Sequence, residues 1–185
     1  MRIKNWRRLQ QVGRKERQAK KRERIERLWQ QRRQRRARIE KYAKDILESY
    51  NFRRSGKFMQ HGRISVKKHS LRVAECSIII EEKLRKLGIR CQERDMVRGA
   101  LLHDYFLYDW HDKYSHEKLH GFHHPYVALQ NAKREYPLSL REQDIIAKHM
   151  WPLTLKCPMC REAWIVTAAD KYCSLKETLF CRGKA

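Results

Sequence analysis

No stretch of eighteen apolar residues occurs in the chain, so no transmembrane helix is expected. Positive charge is plentiful at the N-terminus, but no apolar segment follows it, which argues against a secretory signal. Neither a Gly-rich phosphate loop nor a Gly-x-Ser-x-Gly elbow is present, so motor-type NTP chemistry and serine nucleophiles have no support. No strand-like alternation and no internal repeat stands out. Acidic residues are few beside the basic ones: 21 Asp and Glu face 44 Lys and Arg, leaving a net charge of +23.

What is present begins with the placement of that charge. Residues 1–41 hold 18 basic and 4 acidic residues, so the first fifth of the chain carries more than half of the excess. Apolar residues make up 41%, enough for an ordinary core. Six cysteines (Cys76, Cys91, Cys157, Cys160, Cys173 and Cys181) are expected to be reduced thiols of a cytoplasmic protein, because the chain is long enough to form its own core.

Three regions follow from composition: a basic extension over 1–49, a loop or boundary over 50–63, and a helical core over 64–185. The extension has no proline and one glycine up to Arg38, and Ile25, Leu28 and Trp29 sit at helical spacing, so a long basic helix is expected. In the core, Val66 to Leu87 reads as one helix stopped by Gly88, and Asp95 to His103 as a second. Asp104 to His123 reads as an irregular connection, and Pro125 is expected to open a helix running to about Tyr136. Ser139 with Glu142 forms a capping-box signature for a helix to about Met150, and a last helix spans Arg161 to about Phe180. The fold class is therefore all-α.

His69, His149 and Asp170 share helix faces with the apolar residues Val73, Ile145 and Val166, four positions away in each case. His103 and Asp104 end a helix together, where an imidazole and a carboxylate can reach one ion, or the carboxylate can bridge two. Buried carboxylates need a partner. A metal ion is the simplest partner for imidazoles and carboxylates converging from separate helices. The alternative is that each is a satisfied core residue.

The order His69, His103-Asp104, Asp170 resembles the H…HD…D signature of the HD superfamily of metal-dependent phosphohydrolases. His124 and His149 look like the extra histidines of its two-metal members. The blocks His124-Pro-Tyr-Val-Ala128, Ile145 to His149 and Val166 to Lys171 are similar to their family counterparts, and the likeness covers about Ile64 to Phe180. It implies a compact helical bundle, and two divalent ions (Fe, Mn, Zn or Ni) held by His69, His103, Asp104, His124, His149 and Asp170. It also implies hydrolysis of a phosphate ester or anhydride, in a nucleotide, by a metal-activated hydroxide. His120 and His123 compete with His124 as ligand; if His124 binds, they face the substrate as general acid or phosphate contacts, or are ordinary loop residues. Lys171 and Arg98 are candidates for phosphate contact, against the plainer reading of solvated charges. The cyclic-dinucleotide branch carries Gly-Lys soon after its HD pair, where this chain has Tyr105-Phe-Leu-Tyr-Asp-Trp110, which puts such substrates in doubt.

Cys157-Pro-Met-Cys160 has the spacing of half a zinc site, but no second close pair accompanies it. The arm over residues 1–38 offers phosphate contacts to nucleic acid, with Trp6 and Trp29 able to stack on bases or lie in a membrane interface, against the plainer reading of a solvated helix without a dedicated partner. That arm supports a second functional reading, in which nucleic-acid binding is the activity and the core is a structural or regulatory metal module.

Overall fold

A computed structural model describes residues 2–61, 64–108 and 120–181 of the chain. Two units divide it, residues 1–38 and residues 39–185. Helix α1 (Arg2–Glu48) runs through the first and into the second, with a non-helical residue at Ala43 (φ −139°, ψ 30°). Within the first unit the described side chains from Arg14 to Gln34 are all exposed. Trp110, together with the side chains of Trp6 and His120, lies outside the described residues.

The second unit is an all-α bundle, formed by the end of α1, α2 (Tyr50–Arg54), α3 (Val66–Lys86), α4 (Glu93–Leu102), α5 (His120–Glu135), α6 (Leu140–Lys148) and α7 (Arg161–Cys181). Helix α3 packs on α4 and α7, α4 on α6, and α6 on both α5 and α7. Its core is built from Ile46, Phe52, Val73, Ile78, Met96, Leu101, Ile145, Ile146 and Val166, all nearly inaccessible to solvent.

Several boundaries follow directly from local chemistry. Leu87 closes α3, and Gly88 adopts φ 80° beyond it; the Gly88 N–H donates to the Arg85 carbonyl and the Ile89 N–H to the Leu84 carbonyl, the paired bonds of a Schellman stop. At α6 the capping box is complete: Ser139 accepts from the Glu142 N–H at 3.1 Å, and Glu142 accepts from the Ser139 N–H at 2.7 Å.

Three expectations need correction. The segment 50–63 is not simply a loop. Ser49 caps the Phe52 N–H at 3.2 Å, Phe52 is buried, and the short helix α2 forms around that anchor. A small antiparallel sheet follows, pairing β1 (Met59–His61) with β2 (Ile64–Ser65). Helix α4 begins at Glu93, two residues before the expected Asp95. Helix α5 begins at His120 and holds Pro125 inside, so Pro125 does not open it. Pro125 gives up one N–H bond and crowds the carbonyl of Gly121 four residues before it, both close to the start of this helix.

Gly99 marks the closest approach of α4 to α6. A Cβ there would stand 2.6, 2.8 and 2.9 Å from Cδ1, Cγ2 and Cβ of Ile145. The Cβ is fixed by the α6 backbone, and the branched side chain is held to one χ1 rotamer in a helix, so Cγ2 has little room to swing away. Gly99→Ala is therefore expected to destabilise the fold by about 1–2 kcal/mol, the overpacking cost outweighing the roughly 1 kcal/mol gain in helix propensity. Chemical denaturation checks this, through a lowered midpoint at unchanged slope.

Candidate metal centre

Five helices and one turn deliver six side chains to one buried point. His69 comes from the second turn of α3, Asp170 from the middle of α7 and His124 from α5. His103 and His149 stand at the C-caps of α4 and α6, with Asp104 next in the turn after α4. The C-terminal ends of two helices thus meet there, and the negative end of a helix favours a cation. His69, His103 and His149 are at most 1% exposed, Asp104 2%, His124 4% and Asp170 5%.

Asp104 lies between two halves of the cluster. Its Oδ2 is 3.1 Å from His103 Nε2 and 3.7 Å from His69 Nε2. Its Oδ1 is 3.2 Å from His124 Nε2 and 3.4 Å from His149 Nε2. On the first side Asp170 Oδ1 stands 3.0 Å from His69 Nε2 and 3.7 Å from His103 Nε2. On the second side the Nε2 atoms of His124 and His149 approach to 2.9 Å. Two sets of three donor atoms gather within 4.8 Å of one another: His69, His103 and Asp170, and His103, Asp104 and His149.

The other ring nitrogens explain why these atoms face inward. His103 Nδ1–H donates to the Ala100 carbonyl at 2.8 Å, and His149 Nδ1–H to the Ile146 carbonyl at 2.9 Å. In the neutral ring each bond selects the tautomer whose Nε2 carries the lone pair. His69 Nδ1 is held at 2.9 Å by Glu177 Oε2, and Glu177 Oε1 accepts from Arg72 at 2.8 Å. Gln60, on β1, donates to Asp104 Oδ2 at 2.7 Å. Neither Glu177 nor Gln60 was expected from the sequence.

The donor set suits a divalent ion. His103 Nε2 and Asp104 Oδ1 are fully buried and make no aligned hydrogen bond, a costly state for such atoms unless a cation satisfies them. Mixed imidazole and carboxylate donors are those that Fe, Mn, Zn and Ni accept. The protonation pattern points the same way. Burial alone would raise Asp104 and Asp170, yet the neighbouring imidazoles hold both well below the usual carboxylate range. Burial alone would lower His69 and His103, yet hydrogen bonds to Asp170 and Glu177 lift His69 to about 9, and Asp104 lifts His103 to about 10. His149 is pushed down to about 4, chiefly by burial, and stays a neutral donor. Two carboxylates here demand positive charge from whatever lies beside them.

The remaining expected site residues divide. Of the two neighbouring histidines whose side chains are described, His124 is brought into the cluster and His123 is exposed. Lys171 lies at its edge, its Nζ donating to the His149 carbonyl at 3.1 Å and to Asp170 Oδ2 at 3.3 Å. Arg98 is placed elsewhere, which corrects its reading as a phosphate contact. Its side chain is 3% exposed; Nε donates to Glu142 at 2.8 Å and Nη1 to Asp45 at 2.7 Å and to the Tyr42 carbonyl at 3.3 Å. Tyr105 and Phe106 are core residues, the Tyr105 hydroxyl donating to Glu135 at 2.8 Å and the Phe106 ring meeting the edge of His124.

Searches against curated proteins and solved structures return no match. The HD domain family profile matches residues 66–175, more than half of the chain and the span that contains all six converging side chains. The chain belongs to the HD domain family, whose members form a superfamily of metal-dependent phosphohydrolases.

Proposed function

We propose that the chain hydrolyses a phosphate ester or anhydride in a nucleotide substrate, at a centre of two divalent ions. The observation that carries this reading is the split engagement of Asp104, one oxygen toward His69 and His103, the other toward His124 and His149. In this assignment His69, His103 and Asp170 would hold one ion, His124 and His149 the other, and Asp104, facing both groups, would serve both. Such ions supply Lewis acidity, making a water more acidic and neutralising charge on phosphoryl oxygens. The chain's own residues arrange the rest. Carbonyl and carboxylate partners at the far ring nitrogens hold three imidazoles in register, and Gln60 fixes the tilt of the Asp104 carboxylate. Lys171, 43% exposed at the rim, presents its ammonium to a substrate phosphate. Return of a proton to the leaving oxygen falls in this reading to His123, exposed next to His124, or to His120.

The test is metal content of the purified chain by elemental analysis, with hydrolysis of a panel of nucleotides, phosphodiesters and phosphomonoesters. Nearly two ions per chain with hydrolysis of a nucleotide supports the reading. One ion would reduce the centre to a single-metal site of His69, His103, Asp104 and Asp170. A metal-free chain, inactive even with added Mn²⁺ or Fe²⁺, would overturn it. Loading should also raise stability, by about 2.7 kcal/mol at a hundredfold excess over the dissociation constant.

Glu177 gives a sharper prediction because it touches no ion and acts only through His69. Removing the carboxylate that orients a ligating imidazole weakens metal binding by roughly 10–100-fold. Glu177→Ala is expected at the upper end of that range and Glu177→Gln, which keeps an acceptor, at the lower. Competitive titration with a chromogenic chelator measures both. Equal affinities in wild type and both variants would remove Glu177 from the centre.

A further inference from the structure

The basic arm carries an arrangement of charge that composition alone does not reveal. Helix α1 places residues three or four apart on a common face. Between Arg14 and Arg38 there are thirteen basic and three acidic residues. Arg14, Arg17, Lys21, Arg24, Arg32 and Arg35 follow one another at spacings that keep them on one side of the helix. All three acids, Glu16, Glu23 and Glu26, fall on the opposite side, in a row continued by Gln30 and Gln34. Lys20 and Arg27 stand along one edge of that row, so the acids occupy a single strip and the cations most of the remaining circumference. The helix is therefore two-faced in charge, not in hydrophobicity.

We infer that this face binds the phosphate backbone of nucleic acid, independently of the metal centre. A membrane-surface helix needs a continuous apolar face. Here the cationic side includes only Ile25, Leu28 and Trp29 as large apolar residues, and arginines flank them along the axis. An ordinary protein surface interleaves both signs and does not match a face that carries only positive charge. A duplex does. Thirteen cations over 25 residues, at 1.5 Å rise each, amount to about one per 3 Å, within a factor of two of the one charge per roughly 1.7 Å on duplex DNA. Ten of the thirteen are arginine, whose fork pairs with phosphate in bidentate fashion. Contacts of this kind read no base sequence.

The experiment uses the full chain, a fluorescein-labelled 30-base-pair DNA duplex and anisotropy titrations from 50 to 300 mM KCl. Binding is expected to be equal for two unrelated duplex sequences and to weaken steeply with salt. The variant Arg14→Gln, Lys21→Gln, Arg24→Gln, Arg32→Gln keeps good helix formers. It should lower affinity at least a hundredfold near 100 mM salt, and flatten the plot of log K against log salt by about 3 to 4, since each lost phosphate contact contributes about 0.9. Gln30→Ala, Gln34→Ala on the other face should bind as the wild type does. Metal content and hydrolysis should be unchanged in both variants, so failure here is separate from failure at the centre. Wild-type affinity and slope in the fourfold variant would overturn the inference. So would capture by phosphatidylserine vesicles without binding to the duplex.

Discussion

Replacing Asp104 by alanine should cost both the metal and the reaction. The carboxylate lies within 3.7 Å of all four of His69, His103, His124 and His149. Its removal leaves four imidazoles facing one another with no negative charge between the two halves. Elemental analysis of Asp104→Ala is expected to find less than one ion per chain. Hydrolysis should fall by roughly a thousandfold or more, on the scale seen when a group acting directly at the reaction centre is lost. Asp104→Asn keeps the shape and the hydrogen bond capacity for Gln60 but not the charge, and is expected to be nearly as inactive. An Asp104→Asn variant with full metal content and activity would mean that the cluster is a structural polar core. A variant with one ion retained and no turnover would place the lost ion on the His124 and His149 side, because Asp170 still holds His69 and His103.

Much of this centre was legible because its residues break the apolar pattern of helices in a periodic way. His69, His149 and Asp170 each interrupt a buried face at a four-residue interval, and such interruptions are visible in one sequence. The stops at Gly88 and Ser139 were legible for a similar reason, since caps and Schellman turns use chemistry within a few residues. Gln60 was not legible. It sits on a three-residue strand and meets Asp104 from 44 positions away, and neither periodicity nor local chemistry announces such a pairing. Glu177 was missed although a signal existed: it follows Asp170 by seven residues and so shares its face of α7. The start of α5 was misplaced because proline was read as a first-turn residue, while the helix extends five residues upstream of it.

Arg98 shows where reasoning from sequence ran out, and its substitution should have the largest effect on stability. A cation one turn or so before a metal-type pair reads naturally as a phosphate contact. The structure instead closes it inside the bundle between Glu142 on α6 and Asp45 near the end of α1. Asp45 is half exposed and water screens its share, so the consequential partner is Glu142, at 0% exposure. Arg98→Met would strand that carboxylate in the core, with the Arg94 guanidinium 3.7 Å away and the Ser139 N–H as its remaining partners. Breaking a buried pair from one side costs about 3–5 kcal/mol. The partners that remain place the expectation near the lower figure, a fall of roughly 6–12 °C in Tm for a chain of this size. Adding Glu142→Gln removes the stranded charge while preserving the capping box, which accepts glutamine, so the double variant should recover most of the loss. Metal content and the KM of whichever substrate the panel identifies should stay at wild-type values in both. A raised KM at unchanged Tm would return Arg98 to the substrate. A large fall in Tm relieved by the second substitution fixes it as the cation that ties α4 to α6, with His103 at the end of one of those helices and His149 at the end of the other.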